Sequence, residues 1–87
     1  MSVVEATVKS AKGKCYFGHK VGDKIVFNGR TVEGPICISA LSSIMPDVYA
    51  LWFGAEFPWE KEKNVCHCPC PDPENPVVFE IRRISKK

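Results

Sequence analysis

Residues 77–83, Val-Val-Phe-Glu-Ile-Arg-Arg, are the stretch that decides the fold of this chain. The apolar side chains of Val77, Phe79 and Ile81 occupy alternate positions, and the charged residues Glu80 and Arg82 follow the last two of them. Alternation of this kind is typical of a β-strand that buries one face. The stretch therefore predicts a strand over residues 77–83 with these three side chains turned inward.

A second alternating stretch lies near the start of the chain, at residues 3–10. Val4, Ala6 and Val8 fall on one face there, and charged or polar side chains fall on the other. This pattern predicts a half-buried strand and a natural partner for the strand at 77–83.

Two shorter segments complete the predicted sheet. Residues 24–27 and 30–33 flank an Asn-Gly pair at 28–29, the strongest local signal for a β-hairpin, because both turn positions favour positive φ. Residues 65–70 are predicted to be a short strand or an extended loop, and Pro69 excludes them from a central position in the sheet.

The segment after residue 37 changes to a helical period. A first helix is predicted from about residue 39 to 45, because Pro46 disfavours helical geometry in the residue before it. Pro46 suits the first turn of a second helix, predicted over 46–53 and ended by Gly54. The apolar residues expected to face the core are Ile38, Leu41 and Ile44 or Met45 in the first helix, and Val48, Leu51 and Trp52 in the second.

The order of these elements predicts an α+β fold, with a small, mostly antiparallel sheet and two short helices on one face, in a single domain over 1–87. At 87 residues the chain is near the lower end of what folds on one core, where metals and disulfides are common additions.

The overall charge and the apolar content argue against several classes of partner. A formal net charge of +2 is too small to imply binding to nucleic acid or to an anionic membrane. The N-terminus lacks a basic leader followed by an apolar run, and no apolar stretch approaches the ~20 residues that span a bilayer. We therefore expect a cytoplasmic protein whose thiols are reduced. Five cysteines, an odd number, exclude a complete disulfide framework within one chain.

The cysteines carry the chemistry that the sequence suggests. Cys15 is followed four residues later by His19, Cys37 stands alone, and Cys70 ends the run Cys-His-Cys-Pro-Cys at 66–70. Thiolate and imidazole are soft or borderline donors that suit zinc, iron or copper(I). A closed set of Cys15, His19, Cys37 and Cys70 would make a zinc site, whereas four or more cysteine ligands would suit an iron–sulfur cluster. The sequence does not decide between these cofactors.

Other readings of the same residues stay open. In an extended segment the sulfurs of Cys66, Cys68 and Cys70 would lie about 7 Å apart in succession, so only one or two of them are expected to be ligands, with Cys70 or Cys66 the best candidates. His19 could instead bond to backbone in its own turn. Among the cysteines, Cys37 best fits the role of a small buried hydrophobe, and the 66–70 cluster fits it worst.

Two functions without a metal compete with this hypothesis. Cys37 directly precedes a predicted helix and could be an activated redox thiol, although no Cys-x-x-Cys motif is present. A metal-free interaction module would dock a protein partner or a second copy through Trp52, Phe57 and Trp59. We expect this aromatic cluster, which includes Phe53, to be core. No phosphate-binding glycine loop or hydrolase motif appears.

Four motifs cover much of the chain: CYFGHKVGD at 15–23, GPIC at 34–37, FGAEFPWE at 53–60 and CPDPENPVVFEI at 70–81. Together they resemble a family of small, uncharacterised, cysteine-containing proteins of anaerobic prokaryotes. The resemblance covers nearly the whole chain and implies one cysteine in each of three motifs, with a histidine beside the first. Cys66, His67 and Cys68 look like additions in this chain. The anaerobic distribution raises the expectation of iron–sulfur chemistry, and no activity follows from the resemblance.

Overall fold

The computed structural model describes residues 2–15, 17–29 and 31–86. Its elements follow in the order β1 (Ser2–Ala11), β2 (Lys24–Phe27), β3 (Val32–Glu33), α1 (Ile38–Trp52), β4 (Val65–Pro69) and β5 (Val77–Lys86). The strands form one five-stranded antiparallel sheet in the order β3-β2-β1-β5-β4. The predicted α+β class with a small antiparallel sheet is therefore confirmed.

The two long strands, β1 and β5, are neighbours at the centre of the sheet. Ala6 pairs with Ile81 and Val8 with Phe79, so the inward faces predicted for the two stretches coincide. All four of these side chains are fully buried. The pairing predicted between the first and last strands is confirmed.

The prediction of two short helices is wrong. A single helix, α1, continues through Pro46. Its buried residues form one stripe that runs through the position of the proline: Ala40, Ile44, Val48 and Leu51. Pro46 lacks an N–H, so continuing the helix leaves one intrahelical hydrogen bond unmade. Packing of the whole stripe against the sheet outweighs that local cost. Ile38, expected to face the core, is 83% exposed.

The hairpin between β2 and β3 forms with a longer connection than the two-residue turn that Asn-Gly favours. Phe27 pairs with Val32, and the described residues between them, Asn28, Gly29 and Thr31, lie outside the ladder. The Asn28 side-chain oxygen accepts the Thr31 N–H at 3.0 Å, so the asparagine closes the turn with its side chain. Gly29 alone has the positive φ among the turn residues that are described.

The two faces of the sheet differ in what they carry. β4 lies at the sheet edge, as Pro69 required, and α1 packs over the apolar face. The other face carries ion pairs, such as Glu80 with Lys9 at 3.4 Å and with Arg82 at 2.7 Å. Over the described residues, the structure contains no helix with both the length and the apolar character that crossing a bilayer requires.

Candidate metal centre

A cavity of about 460 Å³ opens at the end of the sheet where the chain leaves β1 and β4 and enters α1. We call it the cysteine cavity. It collects every residue of the four-ligand set predicted from the sequence. Its lining residues are Cys15, Phe17, His19, Cys37, Ser39, Ala40, Cys70, Pro71, Asp72, Pro73, Asn75 and Val77.

The topology explains why distant cysteines reach the same place. β1 and β4 both run antiparallel to β5, so their carboxyl ends lie at the same end of the sheet. Cys15 follows the end of β1, and Cys70 directly follows β4. Cys37 is the N-cap residue of α1, and its own side chain makes no capping hydrogen bond. Three separate segments therefore each deliver one half-buried thiol to the cavity.

Cys70 is held by β5 through two hydrogen bonds. Its N–H donates to the Val77 carbonyl at 2.8 Å, and the Val77 N–H donates to the Cys70 sulfur at 3.4 Å. A backbone N–H directed at sulfur stabilises a thiolate, and such bonds are one means by which proteins tune sulfur ligands of iron–sulfur clusters.

His19 is the most deeply placed polar residue of the cavity, with only 6% of its surface exposed. Its Nε2 accepts the Cys37 N–H at 3.3 Å, which leaves the proton of a neutral ring on Nδ1. Nδ1 lies 3.8 Å from an Asp23 carboxylate oxygen. Phe17 stacks on the ring with centroids 4.5 Å apart, and Phe79 meets it edge-on at 5.5 Å.

These surroundings set the charge and the role of His19. Burial lowers the pKa of His19, and the opposing effect of Asp23 is smaller, so the imidazole is neutral near pH 7. The His19 ring accepts a hydrogen bond from a backbone N–H, which was the predicted alternative to metal ligation. However, the bond crosses to the start of α1 and does not stay within the turn that contains His19. Ligation by His19 remains a prediction.

A turn that follows Cys70 forms the opposite wall of the cavity. Asp72 accepts the N–H groups of Glu74 at 3.0 Å and Asn75 at 3.2 Å, and these backbone hydrogen bonds lower the pKa of Asp72. Asn75 then accepts the Lys14 N–H at 2.7 Å through its side-chain oxygen. This last bond ties the loop that carries Cys15 to the loop that carries Cys70, a link that sequence reasoning missed.

The donor side chains share the cavity without converging on a point. Over residues 2–15, 17–29 and 31–86, no group of three or more His, Cys, Asp or Glu side chains is close enough together to hold a metal ion. Metal binding would therefore require the donor side chains to lie closer together than they do in this structure. The assignment of Cys15, His19, Cys37 and Cys70 as ligands stays a prediction.

The two remaining cysteines lie along β4 beneath α1 and outside the cavity lining. Cys66 is 2% exposed and belongs to the hydrophobic core. Burial, followed by the nearby negative charges of Asp47 and Glu60, raises the pKa of Cys66 to about 12. The expectation that Cys37 is the best example of a small buried hydrophobe was wrong, because Cys66 fills that role.

Cys68 and His67 also have partners that account for them. The Cys68 sulfur lies 3.9 Å from the Ser43 hydroxyl on α1, and burial raises the pKa of Cys68. His67 is exposed, and its Nδ1 lies 3.0 Å from a Glu60 oxygen. Neither residue points to an additional cofactor ligand.

The aromatic cluster divides between core and surface. Trp52 and Phe57 are half-buried and pack against the core, as expected. Phe53 is 82% exposed and Trp59 is 73% exposed, so the expectation of a core position was wrong for these two.

The comparisons with known proteins found no relatives: no family model matches the chain, and neither the curated proteins nor the solved structures contain a significant match. The resemblance to a family of anaerobic prokaryotes therefore stays a prediction. The functional argument rests on the geometry of the cysteine cavity.

Proposed function

We propose that this chain is a small cytoplasmic metal-binding module whose cysteine cavity holds a zinc ion or an iron–sulfur cluster. One observation carries the proposal: three thiols and one imidazole, from three separate segments of the chain, line the same cavity. These donor types suit a soft or borderline metal.

The surroundings of the thiols also favour a cationic centre with thiolate ligands. Cys37 stands at the N-terminus of α1, where the helix dipole favours negative charge. The Val77 N–H supports negative charge on the Cys70 sulfur. All three cavity cysteines are half-buried, so the sulfurs are accessible to an entering metal and partly shielded from water. The bound metal would add a cross-link between the segments that follow β1 and β4 and the start of α1.

A titration of the reduced, metal-free protein with zinc against a competing chelator tests the proposal. Loss of a residue that only hydrogen-bonds to a metal ligand typically lowers metal affinity roughly 10–100-fold. Changing Cys15, Cys37 or Cys70 to serine removes a ligand itself, so each change should lower the zinc affinity by at least this factor. Cys68→Ser is the matched control, since that thiol is also half-buried but lies outside the cavity lining. Its zinc affinity should equal that of the unaltered protein.

Reconstitution with iron and sulfide under anaerobic conditions distinguishes the two cofactors. Broad sulfur-to-iron absorption that requires the same three cysteines would identify a cluster. The proposal fails if neither zinc nor a cluster binds, or if Cys68→Ser impairs binding as strongly as the cavity variants.

A second candidate function is self-association through the exposed aromatic side chains. Trp59 contacts Phe57 with ring centroids 5.4 Å apart, yet most of its own surface faces solvent. A second copy of this chain would cover that surface. Sedimentation over a range of concentrations should show a dimer that Trp59→Ser dissociates, and a monomer at all concentrations would exclude this function.

A further inference from the structure

We infer that the cysteine cavity is a binding site for a neutral aromatic small molecule of two or three rings, which it takes up without a metal. Binding of this kind is separate from the proposed metal centre and does not depend on it. Four features of the cavity support it: the volume, the aromatic lining, the fixed walls and the balance of charge.

The volume of the cavity suits a small molecule. About 460 Å³ lies within the range of about 300–1,000 Å³ that is typical of small-molecule sites. It is also about three times the roughly 150 Å³ that encloses one benzene molecule. Two or three joined rings would therefore fill the cavity, whereas a single ring would leave most of this volume to water.

The lining favours an aromatic ligand. The rings of Phe17 and His19 stack with centroids 4.5 Å apart and form one wall of the cavity. Phe17 is 46% exposed, so part of its ring is free to contact a ligand. Aromatic rings attract one another in offset or edge-to-face arrangements, in addition to the apolar area that they bury. The other apolar lining residues are Ala40, Pro71, Pro73 and Val77.

Hydrogen bonds between distant segments hold the walls in place before any ligand arrives. The Lys14 N–H donates to the Asn75 side-chain oxygen at 2.7 Å and joins the loops on two sides of the cavity. The Cys37 N–H donates to Nε2 of His19 at 3.3 Å and joins the start of α1 to the aromatic wall. A site that already has its bound shape loses little conformational freedom on binding, which favours affinity.

The charges around the cavity favour a neutral ligand. Asp72 is the one charged side chain in the described lining, because the His19 ring is neutral. The Asp72 carboxylate already accepts the N–H groups of Glu74 and Asn75, which leaves it poorly placed to pair with a cation. Its negative charge opposes the partial positive charge at the N-terminus of α1, so an anion gains little either. A charged ligand would lose water without gaining an ion pair.

Fluorescence titrations of the reduced, metal-free protein with two matched probes test the ligand class. N-phenyl-1-naphthylamine is neutral and brightens in apolar surroundings, and 8-anilinonaphthalene-1-sulfonate has the same rings with a sulfonate added. Titrating protein into dilute neutral probe should give saturable binding with a Kd of about 200 µM or tighter, as expected for about 17 non-hydrogen atoms. The sulfonate should bind at least about tenfold more weakly. Equal affinities would overturn the neutral class.

Phenylalanine variants locate the bound probe. Phe17→Ala removes part of the aromatic wall and should weaken binding of the neutral probe about tenfold, while Phe17→Leu, which keeps apolar bulk, should weaken it less. Phe53→Ala is the matched control, because Phe53 is exposed and lies outside the lining. Phe53→Ala and Trp59→Ser should keep the affinity of the unaltered protein. If either lowers it as much as Phe17→Ala, the probe binds the exposed aromatic surface and the inference is wrong.

The unaltered protein also decides the inference by itself. Failure of the neutral probe to saturate would overturn it, whatever the variants do. That result would leave the proposed metal centre standing, because the zinc titration tests the metal centre separately.

Discussion

Gly13 shows how a single residue can control the shape of the cysteine cavity. Its φ of +71° lies in the left-handed region, and a Cβ at this position would overlap the side-chain oxygen of Asn75. That oxygen accepts the Lys14 N–H and joins the two cysteine-bearing loops. The absence of a side chain at Gly13 is therefore required for the cavity walls to meet.

We expect Gly13→Ala to destabilise the protein more than Gly18→Ala does. Both residues have positive φ, which costs about 1–2 kcal/mol for alanine. A Cβ at Gly18 meets no described atom within 4 Å, whereas Gly13→Ala should also lose the Asn75 hydrogen bond, worth about 1 kcal/mol. Urea unfolding of the two variants measures the difference. Equal losses of stability would mean that the loop link contributes nothing.

The Cys66 thiol should make folding sensitive to alkali. Because the pKa is raised from 9.0 to about 12 in the folded protein, the folded state favours the neutral thiol. This stability is fully present below pH 9 and is lost progressively as the pH rises through about 12. We expect the free energy of unfolding of the unaltered protein to fall more steeply over this interval than that of Cys66→Ala. All other alkaline titrations are common to both proteins, so parallel pH profiles would contradict the assigned pKa.

At the scale of elements, the local effect of Pro46 and the packing of α1 on the sheet favour different structures. The rule that a residue before proline avoids helical geometry predicted a break at Met45. The stripe of Ala40, Ile44, Val48 and Leu51 packs as one surface on the sheet, and burial of that stripe decides the outcome. The residues around Pro46 alone cannot predict this outcome. The stripe stabilises the helix only when it is buried against the strands, which are distant in sequence.

Replacing Pro46 by alanine should therefore stabilise the protein. Within a continuous helix the change restores one backbone hydrogen bond, and we expect a gain of about 1–2 kcal/mol after allowing for the more flexible unfolded chain. Pro58→Ala, at an exposed loop position, is the control and should give no gain. The midpoint of urea unfolding with an unchanged m-value is the measurement. A loss of stability in Pro46→Ala would indicate that a second helix begins at the proline.

The strands were more predictable than the helix because their signal is local. Alternation alone fixed the inward faces of β1 and β5, and Pro69 placed β4 at an edge. The hairpin connection was only partly predicted. The side chain of Asn28 accepts the Thr31 N–H, so the turn spans four residues although Asn-Gly favours two.

For the molecule as a whole, the placement of Cys15, Cys37 and Cys70 around one cavity is the part of the site that the sequence indicated best. Their role as ligands stays a prediction. Thiols are metal donors, which made these residues candidates from the sequence alone. The antiparallel pairing of β1 and β4 with β5 places Cys15 and Cys70 at the same end of the sheet. The bond from His19 to the Cys37 backbone could not be predicted, because it depends on where the start of α1 lies relative to a distant loop. The burial of Cys66 depends in the same way on α1 covering β4.

The metal content and visible absorption of protein isolated without oxygen and without added metals test the central claim most directly. The account predicts zinc near one ion per chain in a colourless protein, or iron with sulfide and broad sulfur-to-iron absorption. In either case the metal should be absent after Cys15, Cys37 and Cys70 are changed together to serine and retained in Cys68→Ser. A folded protein that is isolated free of metal and stays so in the presence of zinc or of iron with sulfide would contradict the account.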